Sequence, residues 1–138
     1  PYITDSDGKP MTKNPFKDIR VRQAMSMAID RDAIRDRVME GLSEPASQLV
    51  PIRFFGFNPA LKQIKPDPVA AKKLLADAGY PKGFKITLNA PNNRYINDEK
   101  IAQTVAQMFS RIGIETKIEA LPMSVCTVAH WLSNRFWL

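Results

Sequence analysis

Hydrophobic residues in the first third of the chain recur at intervals of three and four, the spacing of one face of an α-helix. The first apolar stripe follows Asp18, whose residue type favours the N-cap position. It consists of Val21, Ala24, Met25, Ala28 and Ile29. A second helix is predicted to start after Asp30 and to stop at Gly41. The pattern therefore predicts two short, consecutive helices.

The stretch from Asp67 onward predicts a helix followed directly by a strand. Asp67 supplies an N-cap and Pro68 the first helical position. The apolar stripe is Ala71, Leu74, Leu75 and Ala78. Gly79 is expected to end this helix in the left-handed conformation, and Pro81 prevents its continuation. Alternating apolar residues then predict a strand over 84–89 with one apolar face; they are Phe84, Ile86 and Leu88.

A further helix and strand complete a βαβ unit. Asn97 is the expected cap of a helix over 98–112, and Gly113 ends it. The helical stripe is Ile101, Val105, Met108, Phe109 and Ile112. A second strand is predicted over 114–120, with Ile114, Thr116, Ile118 and Ala120 on one face. Two strands joined by a helix are parallel, so the fold class is α/β.

Two segments carry no strong periodicity. Residues 1–16, rich in proline and turn formers, predict an extended arm or loop. A short strand is predicted at Ala46–Val50, followed by a long proline-rich irregular stretch. That stretch contains Phe54, Phe55 and Phe57. Three aromatic residues in one loop are expected to lie against the core or against a partner domain.

Charge and length narrow the function classes. The 138 residues carry a net charge of +6, from 20 Lys and Arg against 14 Asp and Glu. Basic and acidic residues alternate between Asp18 and Glu40, which favours a solvated helix surface over a nucleic-acid-binding face. A basic nucleic-acid-binding module stays a minor alternative. No apolar run approaches the ~20 residues of a membrane span, and the start at Pro1 suggests a processed or excised piece.

Motifs for catalysis or metal binding are missing from the sequence. Cys126 and His130 are the single cysteine and histidine, and a zinc site needs three or four ligands. A Cys–His nucleophile pair would still need a third group to orient it. There is no nucleophile elbow, phosphate loop or dinucleotide fingerprint. We expect no catalytic residues, metal or cofactor; a standalone α/β enzyme domain stays an alternative.

The residues after the first predicted parallel strand could bind a polar solute. Ligands of open α/β sheets collect beyond the carboxyl ends of the strands, and here that place holds Asn92, Asn93, Arg94 and Tyr95. Carboxamides and a phenol form hydrogen bonds, and a guanidinium can hold a carboxylate with two of them. In the alternative interpretation the asparagines, with Asn97, only form the turn and the cap.

Three ordered motifs resemble one family. They are R-Q-A-x-x-x-A-I-D-R within residues 22–31, A-K-x-L-L-A-x-A-G-Y-P-x-G-F within 71–84, and N-x-R-Y-x-N-D within 92–98. Together, over residues 14–124, the chain resembles the extracytoplasmic solute-binding proteins of peptide-type ABC importers, family 5. Members of this family have two lobes that close on a peptide or similar solute and deliver it to a membrane permease.

The resemblance implies a truncated, three-layer lobe of the type II periplasmic-binding-protein class, formed by residues 17–124. The second lobe would lie elsewhere in a longer parent protein. That parent would be periplasmic or otherwise extracytoplasmic, either free or held by a lipid anchor. Residues Asn92, Asn93, Arg94 and Tyr95 would then face the cleft. Ser47 and Gln48, near the hinge side, would be further ligand-binding residues.

The sequence departs from the family pattern after Ser124. The family continues with a segment rich in Gly, Trp and Asp that supplies ligand contacts, whereas residues 125–138 form an atypical tail. We interpret the change as a frameshift or cloning junction. The tail carries Trp131, Phe136 and Trp137, so self-association through the exposed lobe surface and the tail is expected.

Overall fold

The computed structural model describes residues 3–125 and forms a small α/β unit. Its elements in chain order are β1 Ile3–Thr4, a 3₁₀ turn Pro15–Lys17, α1 Ile19–Ala28, α2 Arg31–Arg37, α3 Pro68–Asp77, β2 Phe84–Pro91, α4 Asp98–Arg111 and β3 Ile114–Leu121. The expected helices and the two parallel strands are present within one or two residues, except that α2 is shorter. No helix among the described residues is long and apolar enough to cross a membrane.

The predicted βαβ unit forms the centre of the structure. β2 and β3 pair in parallel, in register from Phe84 opposite Ile114 to Pro91 opposite Leu121. The short strand β1 joins the other side of β2 in the antiparallel direction, with Ile3 opposite Ile86. The strand order β1–β2–β3 makes β2 central, and it makes the start of the predicted amino-terminal arm part of the sheet.

The core lies between the sheet and the helices. Apolar residues of α1, α3 and α4 form one buried cluster with β2; they include Val21, Ala24, Ala71, Leu75, Phe84, Val105 and Phe109. Phe84 is the aromatic centre of this cluster. The ring of Phe16 lies 6.2 Å from it and that of Tyr80 5.4 Å, both in edge-to-face geometry. The helix-spaced stripes and the alternating strand face therefore meet as the sequence pattern predicts.

Three aspartates begin helices as predicted. The carboxylates of Asp18, Asp30 and Asp67 each accept a backbone N–H of their own helix at 2.9 Å. Hydrogen bonds from the Arg20 side chain and backbone lower the pKa of Asp18 to about 2. The helix that follows Asp30 ends at Arg37, four residues before the predicted Gly41. The Met39 N–H bonds the Ile34 carbonyl, five residues back, so the α-helical hydrogen-bond spacing is lost there.

The segment between α2 and α3 contains two corrections. Ala46–Val50 is not a strand: no other described strand pairs with it, and Leu49 is fully exposed. The Gln48 carboxamide instead closes a loop onto Asn58. Phe54 and Phe55 do not lie against the core, since 66% and 104% of their surface is exposed. Packing against another domain stays a prediction.

Candidate functional site

The loop that joins β2 to α4 lies at the carboxyl ends of both parallel strands. Residues 92–96 are all exposed, directly after the last ladder pair of β2 and β3. The Asn92 N–H donates to the Leu121 carbonyl at 3.2 Å, so the parallel ladder continues into the loop. The loop is thus attached to both strands at its start and presents its side chains to the outside.

Asp98 holds the second half of the loop. Its carboxylate accepts the backbone N–H groups of Arg94 and Tyr95 at 3.1 Å each, and that of Glu99 at 2.9 Å. Burial raises the pKa of Asp98, but the N–H donors outweigh it and the net pKa lies below its usual range. An ionised carboxylate at the start of α4 also suits the positive end of the helix dipole. Our sequence interpretation missed this role.

Asn97 precedes α4 as predicted, but its side chain does not cap the helix. Its backbone is left-handed, with φ of 57°, whereas a capping residue normally has an extended backbone. The Nδ2 group donates to the Val38 carbonyl at 2.9 Å instead. The prediction that the Asn97 side chain caps α4 is therefore wrong. The side chain instead connects this loop to the end of α2.

The four predicted loop residues have different surroundings. The Asn93 Oδ1 atom accepts the Met123 N–H at 2.9 Å and so fixes the chain that follows β3. The Arg94 guanidinium carbon lies 5.1 Å from the centre of the Tyr95 ring, a cation–π distance. Among the described residues, no carboxylate forms an ion pair with Arg94. Its charge is available to an external anion.

Ser47 and Gln48 lie in a separate loop. The Gln48 carboxamide donates to the Asn58 carbonyl at 2.9 Å and accepts the Asn58 N–H at 3.0 Å. Ser47 is exposed. Within residues 3–125, no hydrogen bond connects either residue to the β2–α4 loop. The structure brings together the residues at 92–95 but does not join this second pair to them.

Asn89 is a buried polar residue that the alternating pattern did not predict. It lies near the carboxyl end of β2, and only 2% of it is exposed. Neither polar atom of its carboxamide has a hydrogen-bond partner among the residues that the structure describes. No cluster of three metal-ligating His, Cys, Asp or Glu occurs in the described part of the chain. Cys126, His130 and the tail 125–138, apart from Val125, lie outside the described residues.

Comparison with known proteins adds a family match. The sequence matches the family described as bacterial extracellular solute-binding proteins, family 5 Middle, over residues 6–136. It is 36% identical over 109 residues to the dipeptide-binding protein of Escherichia coli K12, covering 77% of this chain and 20% of that protein. It is 33% identical over 110 residues to heme-binding protein A of Haemophilus influenzae, covering 75% of this chain and 20% of that protein.

The fold matches as well. The structure superimposes with a TM-score of 0.80 and 27% identity on the ABC transporter-associated periplasmic binding protein DppA from Helicobacter pylori, solved with the peptide STSA. The match covers 97% of this chain and 25% of that one. The expected type II lobe fold is confirmed. The chain spans about a fifth of the length of the curated relatives it matches.

Proposed function

The chain belongs to family 5 of the bacterial extracellular solute-binding proteins, and from this premise we propose that it forms part of one lobe of the solute-binding component of a peptide-type ABC importer. The match over residues 6–136 is the observation that carries the proposal. The complete protein would capture its solute between two lobes and deliver it to a membrane permease. It would act outside the cytoplasm, and a lipid anchor would keep it near the permease.

A peptide is the solute that the comparisons support best. One relative is a dipeptide-binding protein, and one solved structure holds the peptide STSA. A heme-binding protein among the relatives indicates that the same scaffold also serves other solutes. We therefore assign peptides as the first class to test. No enzymatic role is part of this proposal, because the family matched is a solute-binding one.

Within this lobe, Arg94 is the main candidate contact. A guanidinium donates two parallel hydrogen bonds to a carboxylate, and every free peptide carries one at its end. The Tyr95 ring and the Asp98 carboxylate restrict this part of the loop, so little order would have to be gained on binding. Asn92 would add its carboxamide, and Asn93 would use the Nδ2 group while its Oδ1 atom holds Met123.

Ser47 and Gln48 would have unequal roles. The Ser47 hydroxyl is exposed and would form a hydrogen bond with the solute. Both ends of the Gln48 carboxamide are already bonded to Asn58, so this residue would shape the loop rather than bind. Because a cleft binds by surrounding its ligand, one exposed wall should bind weakly alone.

The test uses a chimera, in which residues 14–124 of this chain replace the matched segment of the E. coli dipeptide-binding protein. Isothermal calorimetry with dipeptides measures the affinity of the chimera and of its Arg94→Ala variant. We expect Arg94→Ala to weaken binding roughly tenfold or more, as expected for a lost hydrogen bond to a charged group. Lys72→Ala, on the exposed side of α3, is the matched control and should bind normally.

Two outcomes would count against the proposal. A folded chimera that binds no dipeptide would reject the peptide assignment. Equal affinity of the chimera and the Arg94→Ala variant would leave the family function intact but would reject the loop as a peptide contact. The melting temperature of each unliganded variant separates a folding defect from a binding defect.

A further inference from the structure

The outer side of β3 over residues 114–118 is an edge of the described sheet. β3 is the last strand in the order β1–β2–β3, and β2 occupies only its inner side. Over residues 114–118, no described strand pairs with the outer side. An open strand edge is a template for another strand, which natural proteins normally cover or protect with charge. The sequence of this edge therefore decides what it can accept.

The edge sequence Ile-Glu-Thr-Lys-Ile, residues 114–118, is complementary to itself when read antiparallel. With Thr116 opposite Thr116 of a second copy, Glu115 lies opposite Lys117 and Lys117 opposite Glu115. Ile114 then lies opposite Ile118. Paired threonines, opposite charges and apolar pairs are the cross-strand neighbours that stabilise a sheet. We propose that two copies of this chain associate through the β3 edge into one continuous six-stranded sheet.

Neighbouring registers do not share this complementarity. Centring the pair on Lys117 would place two lysines opposite each other and Glu115 opposite Glu119. A shift by one residue between the strands would exchange the faces of the sheet and place Ile118 among charged residues. A lone edge lysine would oppose pairing, but in the proposed register each Lys117 meets a carboxylate. The charge pattern thus selects one arrangement.

The surroundings of the edge leave room for a second copy. The Glu115 and Lys117 side chains are 71% and 74% exposed, so water screens the ion pairs that they form with Lys85 and Glu119. A groove of about 560 Å³ lies between α4 and β3. On the α4 side it is lined by Gln103, Ala106, Gln107 and Ser110. These uncharged polar and small side chains would meet the same face of α4 in the other copy without repulsion between like charges.

Charge reversal at the edge tests this register. Analytical ultracentrifugation of the chain over roughly 10–500 µM should show a monomer–dimer equilibrium, as expected for a small interface. Lys117→Glu and Glu115→Lys each place like charges opposite each other at two positions, so each should weaken the dimer roughly tenfold or more. Lys72→Glu and Glu44→Lys, which change exposed charges outside the sheet, are matched controls and should dimerise normally.

Mixing the variants separates this interface from other contacts. An equimolar mixture of the Lys117→Glu and Glu115→Lys chains restores opposite charges at both positions, so a heterodimer should form although each chain alone is a monomer. A monomeric wild type throughout the concentration range would overturn the proposal. Dimers that persist in both variants would also overturn it, because they would place the contact elsewhere, for example on the exposed apolar segment 49–64.

Cross-linking provides a second test of the same register. In a Cys126→Ser background, Thr116→Cys should form a disulfide-linked dimer under oxidation, since directly opposite Cα atoms lie about 4.5–5.5 Å apart. Lys117→Cys should not do so, because two residues of offset separate it from its own copy by roughly 8 Å. Linkage through position 117 but not 116 would overturn the Thr116-centred register.

Discussion

Replacing Gly83 by alanine should destabilise the fold far more than its position in a turn suggests. Gly83 and Gly113 precede the paired residues Phe84 and Ile114, so they lie side by side where the two parallel strands begin. A Cβ atom on Gly83 would overlap the carbonyl carbon and oxygen of Gly113. Neither backbone can move away easily, because Phe84 and Ile114 are at most 1% exposed.

Two other glycines serve as controls for the loss of stability expected in Gly83→Ala. Gly79 and Gly113 also have positive φ. A Cβ atom on Gly79 would meet nothing within 4 Å, and one on Gly113 would lie 3.7 Å from the Gly83 Cα atom, an ordinary contact distance. Their alanine variants should each lose about 0.5–1 kcal/mol, the left-handed strain less the entropy gained from the unfolded chain. Gly83→Ala adds the backbone overlap and should lose about 2–4 kcal/mol in total, by analogy with overpacking.

Urea unfolding followed by circular dichroism measures these free energies from the midpoint and slope. We expect the free energy of unfolding of Gly83→Ala to lie well below those of Gly79→Ala and Gly113→Ala. If the Gly83→Ala variant were within about 0.5 kcal/mol of the two controls, the close approach of the strands would be wrong. A folded but expanded Gly83→Ala protein would show a changed slope and would be recognised by it.

Three further predictions concern polar groups. Asn89→Leu should raise the free energy of unfolding by about 1–2 kcal/mol, because it removes a buried carboxamide that has no hydrogen-bond partner within residues 3–125; a loss of stability would mean that the carboxamide is bonded. The pKa of Asp18 is about 2 in the folded protein, below its value in the unfolded chain. The ionised carboxylate therefore stabilises the fold above pH 4, and this stabilisation is lost as the pH falls toward 2. The urea midpoint should therefore fall less steeply with decreasing pH, below about pH 4, in Asp18→Asn than in the wild type. An equal fall in both proteins would contradict this. Asp98→Ala should lower the melting temperature more than Lys100→Ala does, because three backbone N–H groups lose their acceptor; equal melting temperatures would argue against the Asp98 role.

The sequence predicted those parts of the fold that depend on neighbouring residues. The carboxylates of Asp18, Asp30 and Asp67 start helices by bonding N–H groups two or three residues away. The left-handed Gly79, with φ of 95°, likewise ends α3 through local geometry. These interactions lie within one turn of the chain, so residue type and spacing were sufficient to identify them.

The errors occurred where a distant partner decides the structure. Ala46–Val50 pairs with no strand in the described part of the chain, whereas Ile3–Thr4, which is too short to show an alternating pattern, pairs with β2. Asn97 has a capping residue type, but its side chain bonds Val38, 59 residues away. The alternating pattern placed Asn89 on the polar face of its strand, yet tertiary packing buries it.

The candidate site was located by topology and its details were not. The rule that ligands gather at the carboxyl ends of parallel strands led to residues 92–95, and the structure places them there, exposed. The sequence could not show that the Asn93 Oδ1 atom holds Met123, or that Asp98 orders the loop. It could not separate the bonded carboxamide of Gln48 from a free one either.

The most direct test of the account is to observe the Arg94 side chain while peptide binds. In the chimera with the E. coli dipeptide-binding protein, the Nε–H resonance of Arg94 can be assigned by comparison with an Arg94→Lys variant. We predict that this resonance shifts on addition of a dipeptide, in proportion to the occupancy measured by calorimetry. Saturating binding that leaves the resonance unchanged would contradict the claim that this loop forms a wall of the binding cleft.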